Sequence, residues 1–97
     1  MIIGQARKPF IENITLVTAG VEQSFDLQID PEKPKIKRIQ LKSRQTNNLQ
    51  YGYVTTGPYV TIPSGQTYWQ DIIDSWLLTI YLVGSIDGQI AELEYWL

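Results

Sequence analysis

Few residues of this chain could do chemistry, because it contains no histidine and no cysteine. Acid–base catalysis near neutral pH usually uses histidine, or a carboxylate or lysine whose pKa is strongly shifted. Two close carboxylate pairs remain, Asp71 with Asp74 and Glu92 with Glu94. On a strand, Glu92 and Glu94 would share one face about 7 Å apart, a separation found in inverting glycosidases. We interpret them as a solvated strand face, because so short a chain cannot wall a sugar cleft, and we predict no catalytic residue.

Oxygen ligands for a hard cation such as calcium are offered by Asp71, Asp74 and Asp87. No EF-hand loop and no glycine–aspartate repeat accompanies them in the sequence. Asp87 is better explained as a turn residue, because Gly88 follows it, and the other two as loop or capping residues. The sequence therefore predicts no metal site and no cofactor.

Charge is distributed unevenly along the chain, although the net charge is only −2. Residues 33–44 carry six bases and no acid, while residues 45–97 carry five acids and no base. The bases could pair with acids of the same chain or with those of a neighbouring copy, and the sequence favours neither. Nucleic acid is not expected as a partner, because the aromatic residues that could stack on bases lie in the acidic part. The six bases are Lys33, Lys35, Lys37, Arg38, Lys42 and Arg44.

The three tryptophans could act as platforms for sugar rings, as in carbohydrate-binding modules. A small β-sheet core also uses aromatic residues inside, where each buries about 150–250 Å². Trp76 stands at the head of the apolar run 76–83 and is predicted to lie in the core. Trp69 and Trp96 are candidates for exposed contact residues, which would suit a protein interface as well as a sugar.

Short alternating segments separated by turn residues are typical of a small all-β domain. Ile36 is out of phase with Ile39, which predicts a β-bulge near Lys37 and Arg38. Asp87-Gly88 predicts a hairpin between the last two strands. Segment 68–74 could be a strand, but we favour irregular structure or one helical turn. In that turn, Ile72, Ile73 and Trp76 would face inward.

These segments predict an antiparallel β-sandwich or jelly-roll-like barrel of about seven or eight short strands, with at most one short helical turn. One such domain is expected over residues 13–97, preceded by an extended N-terminal arm over residues 1–12. The apolar Ile2, Ile3 and Phe10 would be costly to leave in water, so the arm is expected to pack on a neighbour. No apolar run approaches the ~18–20 residues of a membrane helix, so no membrane partner is expected.

The order of these features resembles small structural proteins of tailed-bacteriophage virions. The first strand ends in a Thr18-Ala19-Gly20 turn, and a pattern I.L.....TNN..YGYV spans Ile39 to Val54. An IPSG turn leads into Tyr68 and Trp69. The segments TIYLVGSIDG and ELEYW then close the chain. The resemblance covers about residues 14–97.

The resemblance implies a non-enzymatic virion protein, such as a capsid decoration, connector or tail-associated subunit. Its partners would be copies of itself and other virion proteins, such as the major capsid or a tail protein, and its location the virion. We expect a homo-oligomer, with a trimer favoured, joined through residues 1–12 and the basic segment 35–44. The alternative function is a carbohydrate- or receptor-binding β-module. The expected interface residues are Ile2, Ile3, Phe10, Lys35, Lys37, Arg38, Trp69 and Trp96.

Overall fold

The structure, a computed structural model, describes residues 9–97 with the exception of the Ile72 side chain. Every regular element within that range is a β-strand, as the sequence predicts. The strands are β1 (Phe10–Leu16), β2 (Glu22–Gln28), β3 (Ile36–Ser43), β4 (Leu49–Gly52), β5 (Val60–Ile62), β6 (Thr67–Ser75), β7 (Leu77–Gly84) and β8 (Gln89–Trp96).

The strands form two four-stranded antiparallel sheets that pack as a sandwich. Their orders are β1-β8-β3-β6 and β2-β7-β4-β5. The pairs β1–β8, β2–β7, β3–β6 and β4–β5 are nested like the two arms of one long hairpin. The additional pairs β3–β8 and β4–β7 roll that hairpin into two layers. This is the strand order of a jelly roll, so the predicted fold class is confirmed.

The core lies between the sheets and is built by strict alternation along the central strands. In β8, Ala91, Leu93 and Tyr95 are buried, whereas Glu92 and Glu94 between them are half-exposed on the outer face. The inward set therefore follows the period of two that a half-buried strand imposes. Its fully buried partners come from both sheets and include Leu16, Ile36, Ile39, Leu41, Leu49, Tyr51, Ile80 and Leu82.

The predicted β-bulge in β3 is confirmed. The register of β3 against β6 shifts between Ile36 and Arg38. Ile36 and Ile39 are both fully buried, although they differ in parity along the strand. The extra residue of the bulge restores the phase, so Arg38 points away from the core.

The predicted hairpin at Asp87-Gly88 is wrong, because β7 and β8 lie in different sheets. The turn packs instead on the link between β1 and β2. The Asp87 carboxylate accepts a hydrogen bond from the Ala19 amide at 2.7 Å, and the Gly88 amide donates to the Leu16 carbonyl at 2.9 Å. The same turn residues therefore carry the chain across the sandwich rather than back along one sheet.

Gln89 joins the strands that meet at this crossing. It is fully buried, and its Oε1 accepts a hydrogen bond from the Ser85 amide at 2.7 Å. Its Nε2 donates to the Ser43 hydroxyl at 2.9 Å and to the Asn48 carbonyl at 3.0 Å. One side chain thus links the end of β3, the approach to β4, and the β7–β8 turn. Polarity here is compatible with burial because the amide is hydrogen-bonded on both ends.

Residues 68–74 are extended, so the favoured helical turn is wrong. They belong to the nine-residue strand β6, which pairs with β3 from Lys42–Thr67 to Ile36–Ser75. Pairing with β3 decides the conformation of this segment, because the backbone N–H and C=O groups along one side of β3 would otherwise have no partner.

The predicted domain boundary also moves. β1 begins at Phe10 and pairs with β8, so residues 10–12 belong to the sheet; Ile2 and Ile3 lie outside the described residues.

Trp76 is 39% exposed and is not a core residue, contrary to the sequence prediction. It lies where the chain passes from β6 in one sheet to β7 in the other. Its indole Nε1 donates a hydrogen bond to the Lys33 carbonyl at 2.9 Å, and the Lys35 ammonium lies 4.6 Å from the ring centroid. The ring therefore covers the 33–35 loop from outside. In the apolar run that follows, Leu78 is the first residue to pack against the core and Ile80 the first to be fully buried.

Glu22, at the start of β2, holds the loop between β4 and β5. Its carboxylate accepts hydrogen bonds from the Thr56 amide at 2.6 Å, the Thr55 hydroxyl at 2.8 Å and the Tyr59 hydroxyl. The bonds from Tyr59 and Thr55 lower the pKa of Glu22 below its usual value. The folded form therefore favours the ionised carboxylate, and this stabilisation is present above the ordinary glutamate pKa and lost as the pH falls.

We expect Glu22→Gln to lower the melting temperature at pH 7, since the amide is a weaker acceptor than the carboxylate. The difference from the native chain should shrink as the pH falls below the ordinary glutamate pKa and through the lowered pKa of Glu22, because the native carboxylate is then protonated as well. Thermal melts of both chains between pH 2.5 and 7 measure this difference. Asp26→Asn serves as the control, because Asp26 accepts one side-chain hydrogen bond, from Thr79, at the exposed face of β2. A difference that stays constant with pH would contradict the proposed role of the ionised carboxylate.

Candidate functional site

The outer face of the β1-β8-β3-β6 sheet gathers most of the charged and aromatic residues that the sequence singles out. Alternation around the bulge turns Arg38 outward on β3 and Trp96 outward on β8. Register places Arg38 opposite Trp96 on one side and opposite Asp71 of β6 on the other. Trp69 lies two residues before Asp71 on β6 and therefore points to the same face of the sheet. Three strands thus converge on one basic residue.

Arg38 lies between the two tryptophans, and we call these three residues the Trp69–Arg38–Trp96 cluster. The guanidinium carbon of Arg38 is 4.2 Å from the centroid of the Trp69 ring and 5.3 Å from that of Trp96. Both distances allow attraction between the cation and the aromatic faces. Trp69 remains 52% exposed, while Trp96 is half-buried. The cluster is therefore an ordered surface with one open aromatic ring at its outer end.

Ion pairs hold Arg38 of the cluster and the neighbouring Lys37 in place. The Arg38 Nε lies 3.3 Å from an Asp71 oxygen, although without the geometry of a hydrogen bond. Lys37 donates a hydrogen bond to Asp74 at 3.1 Å. That bond, with the charges of Lys37 and Lys35, lowers the pKa of the Asp74 carboxyl below its usual value. Asp74 is therefore ionised at neutral pH, and its charge is balanced locally.

Within residues 9–97, four of the six bases of segment 33–44 form ion pairs with acids of the same chain. Lys42, near the end of β3, and Arg44, just beyond it, both approach Glu92 of β8, at 3.7 and 3.4 Å. Glu92 is therefore part of an ion-paired strand face. The sequence leaves open whether the bases pair within the chain or with a second copy, and the structure provides intrachain partners. The charge argument for an oligomer consequently loses its basis, although the oligomer itself stays a prediction.

An open depression borders the cluster at the end of the sheet. It encloses about 650 Å³ and is lined by Lys37, Arg38, Asp71, Asp74 and Trp96. Each aspartate uses its Oδ1 in an ion pair. Neither Oδ2 accepts a hydrogen bond from any residue within 9–97. The depression therefore combines one aromatic wall with acceptors and donors that the chain does not use.

The remaining candidates lie at the margins of this face. Phe10 is 47% exposed on β1, at one edge of the sheet, and its ring stacks on Tyr95 with centroids 5.1 Å apart. Lys35 does not join the cluster, because its ammonium group lies over the Trp76 ring. The prediction that Asp71 and Asp74 are loop or capping residues is wrong, because both lie on β6. Asp71 lies two residues from Trp69, a spacing that predicts a shared strand face, whereas Asp74 lies five residues from Trp69 and is not placed by the same alternation.

No family model, no curated protein and no solved structure matches this chain. Among residues 9–97, no helix is long and apolar enough to cross a membrane. Within the same range, no three histidine, cysteine or carboxylate side chains come together as metal ligands would.

Arg38 is expected to contribute more to stability than an ordinary surface base. Arg38→Ala removes a stem packed between two indoles and both cation–π contacts, which should cost about 1–1.5 kcal/mol in the free energy of unfolding. Arg44→Ala is the matched control, because Arg44 forms an exposed ion pair with Glu92 and stacks on no aromatic ring within residues 9–97. Arg44→Ala should lower the free energy of unfolding by at most about 0.5 kcal/mol. Urea unfolding followed by far-UV circular dichroism measures both, and equal losses would contradict the role given to the stack.

Proposed function

We propose that this protein is a non-enzymatic structural subunit of a tailed-phage virion that works by protein–protein contacts. The observation that carries the proposal is the pair of open edges on the β1-β8-β3-β6 sheet. Within residues 9–97, β1 pairs with β8 alone and β6 pairs with β3 alone. An unpaired edge strand is a template for another chain unless lysine, proline or a very short length protects it.

Neither edge strand is protected by lysine, proline or short length, although Glu12 lies on β1, and Asp71 and Asp74 lie on β6. β1 reads FIENITL and β6 reads TYWQDIIDS, so both lack proline and lysine and both exceed six residues. By contrast, β5 at one edge of the other sheet has only three residues, whereas β2 at its other edge has seven and also lacks proline and lysine. Large apolar side chains stand beside both open edges, with Phe10 and Ile11 (64% exposed) on β1 and Trp69 on β6. This distribution fits a sheet that is extended by a neighbour.

The two edges belong to opposite sides of one sheet, so a contact between them is heterologous. The β1 edge of one copy meets the β6 edge of the next, and such contacts close into rings when the rotation allows it. We favour a trimer, in keeping with the sequence-based expectation. Residues 1–8 directly precede β1 in the chain, which suits the expected crossing of the arm to a neighbour.

Jelly rolls occur in viral capsid proteins and in lectins, which is compatible with the virion role and with its alternative. The carboxylates of the outer face also suit a binding surface better than a catalytic centre. A general acid working near neutral pH needs a raised carboxyl pKa, and that of Asp74 is lowered instead. Contact with other virion proteins would use the parts of the outer face that the ring leaves open.

Mass spectrometry of purified particles tests the virion role. We expect the chain at a constant molar ratio to the major capsid or tail protein across independent preparations, and at the same ratio after a further density-gradient step. A soluble host protein of similar abundance is the control for carry-over. Loss of the chain in parallel with that host protein would contradict the proposal.

A further inference from the structure

We infer that the depression beside Trp96 is a binding site for a neutral sugar, specifically a pyranose with neighbouring free hydroxyls. The inference does not rest on the virion proposal. Three of its residues lie on the central strands β3 and β8, while Asp71 and Asp74 lie on the edge strand β6. The residues that would bind the sugar are Lys37, Arg38, Asp71, Asp74 and Trp96.

Trp96 supplies the apolar part of the recognition. It is half-buried on the outer face of β8, and the Arg38 guanidinium lies 5.3 Å from its ring centroid. This fixes the ring before a ligand arrives, so little side-chain freedom is lost on binding. The C–H groups of a pyranose form an apolar patch about the size of an indole, which suits stacking on a wall of this kind.

The hydrogen-bonding groups of the depression are oriented but not used up. Asp71 and Asp74 are each held through Oδ1, and the Oδ2 of each accepts no hydrogen bond within the described residues. Lys37 uses one of its three N–H donors, on Asp74, and Arg38 contacts Asp71 through Nε alone. Hydroxyl groups that are both donors and acceptors can satisfy the free carboxylate oxygens and the free N–H groups together.

The charge of the depression decides between ligand classes. Its two bases and two acids balance, and each base is already paired with an acid at 3.1–3.3 Å. A phosphate, sulfate or carboxylate that binds the free N–H groups would lie beside two carboxylates and be repelled by them. A cation that binds the free Oδ2 atoms would in the same way be repelled by the two bases. A neutral polyhydroxylated ligand adds hydrogen bonds without breaking either pair, which favours a neutral sugar over a charged one.

Saturation-transfer difference NMR on the full chain tests the inference. The probes are the methyl pyranosides of glucose, galactose, mannose and N-acetylglucosamine, with sialyllactose as the anionic comparison. A glycan array extends the same test to neutral and to acidic oligosaccharides. We expect saturable binding of at least one neutral glycan, with the strongest saturation transfer at ring C–H protons that face the indole.

Variants locate the binding site. Trp96→Ala and Asp74→Asn should each weaken the binding at least tenfold. Tyr53→Ala and Asp26→Asn are the matched controls, an exposed aromatic residue beyond β4 and an exposed aspartate on β2, and should change it less than twofold. Far-UV circular dichroism verifies folding, and Trp96→Phe replaces Trp96→Ala if the latter does not fold. Absence of saturable binding by every neutral glycan overturns the inference. So does binding that survives both depression variants, or binding confined to acidic glycans.

Discussion

Leu93→Ala is expected to lower the free energy of unfolding by about 3 kcal/mol. Leu93 is fully buried on the central strand β8, where it pairs with Leu41 of β3 and Glu12 of β1. Removing three side-chain carbons there leaves a cavity between the sheets that rigid strands cannot fill. For a domain of this size, the melting temperature should fall by about 15 °C. Calorimetry of the native and variant chains measures the change.

Ile90→Ala is the control for this experiment, because it removes apolar carbons from the half-exposed outer face of the same strand. The alternation of β8 predicts a loss of at most about 1 kcal/mol there, since no closed cavity forms. If Ile90→Ala costs as much as Leu93→Ala, the assignment of inner and outer faces in β8 is wrong. The jelly-roll register that follows from it would then be wrong as well.

Gln89→Leu is expected to cost about 3 kcal/mol, although leucine is the more hydrophobic residue. The substitution leaves the Ser85 amide without its acceptor and takes a donor from the Asn48 carbonyl and the Ser43 hydroxyl. Each of these three lost hydrogen bonds contributes about 0.5–1.5 kcal/mol, and the Asn48 carbonyl keeps its bond from the Ser85 hydroxyl at 2.9 Å. The β7–β8 crossing should loosen before the sheets separate, so amide exchange should rise first at residues 84–90.

Gln50→Leu is the matched control on β4. Gln50 is half-exposed, and its side chain makes no hydrogen bond within the described residues. The change should alter the free energy of unfolding by less than about 0.5 kcal/mol. Urea unfolding of both variants separates the two cases. A neutral Gln89→Leu would show that packing, and not the amide hydrogen bonds, joins the strands at the crossing.

The parts of the fold that the sequence predicts well are those decided by local alternation. In β8 the buried residues follow the period of two, and in β3 the phase change between Ile36 and Ile39 predicts the bulge. These signals are strong because one face of each strand meets the core and the other meets water. Local pattern alone thus yields the fold class and most of the strands, with β6 as an exception.

Long-range pairing decides what the sequence does not predict. The Asp87-Gly88 turn has the composition of a hairpin, yet its carboxylate bonds to Ala19, which is distant in sequence and adjacent only in the folded sandwich. Segment 68–74 has mixed local preference, and β3 makes it a strand by supplying hydrogen-bond partners. Trp76 follows an apolar pattern but lies where the chain crosses between sheets, so its ring stays outside.

The sequence predicts which residue types form the candidate site but not which of them contact one another. Composition identifies the basic segment and the exposed tryptophans, and the charges of Asp71 and Asp74 mark them as complementary. Only the register of β3 between β6 and β8 shows that these acids serve Arg38 and Lys37 of the same chain. A sequence read strand by strand carries no information about which strands are neighbours in a jelly roll.

The most direct test of the proposed edge-to-edge contact is size-exclusion chromatography with light scattering on the full chain. We predict an oligomer, with the mass of a trimer favoured, that becomes a monomer in the double variant Phe10→Ala/Trp69→Ala. The double variant Tyr53→Ala/Val54→Ala removes comparable exposed apolar area beyond β4 and should leave the mass unchanged. A monomeric native chain, or an oligomer that survives the loss of Phe10 and Trp69, would contradict assembly through these edges.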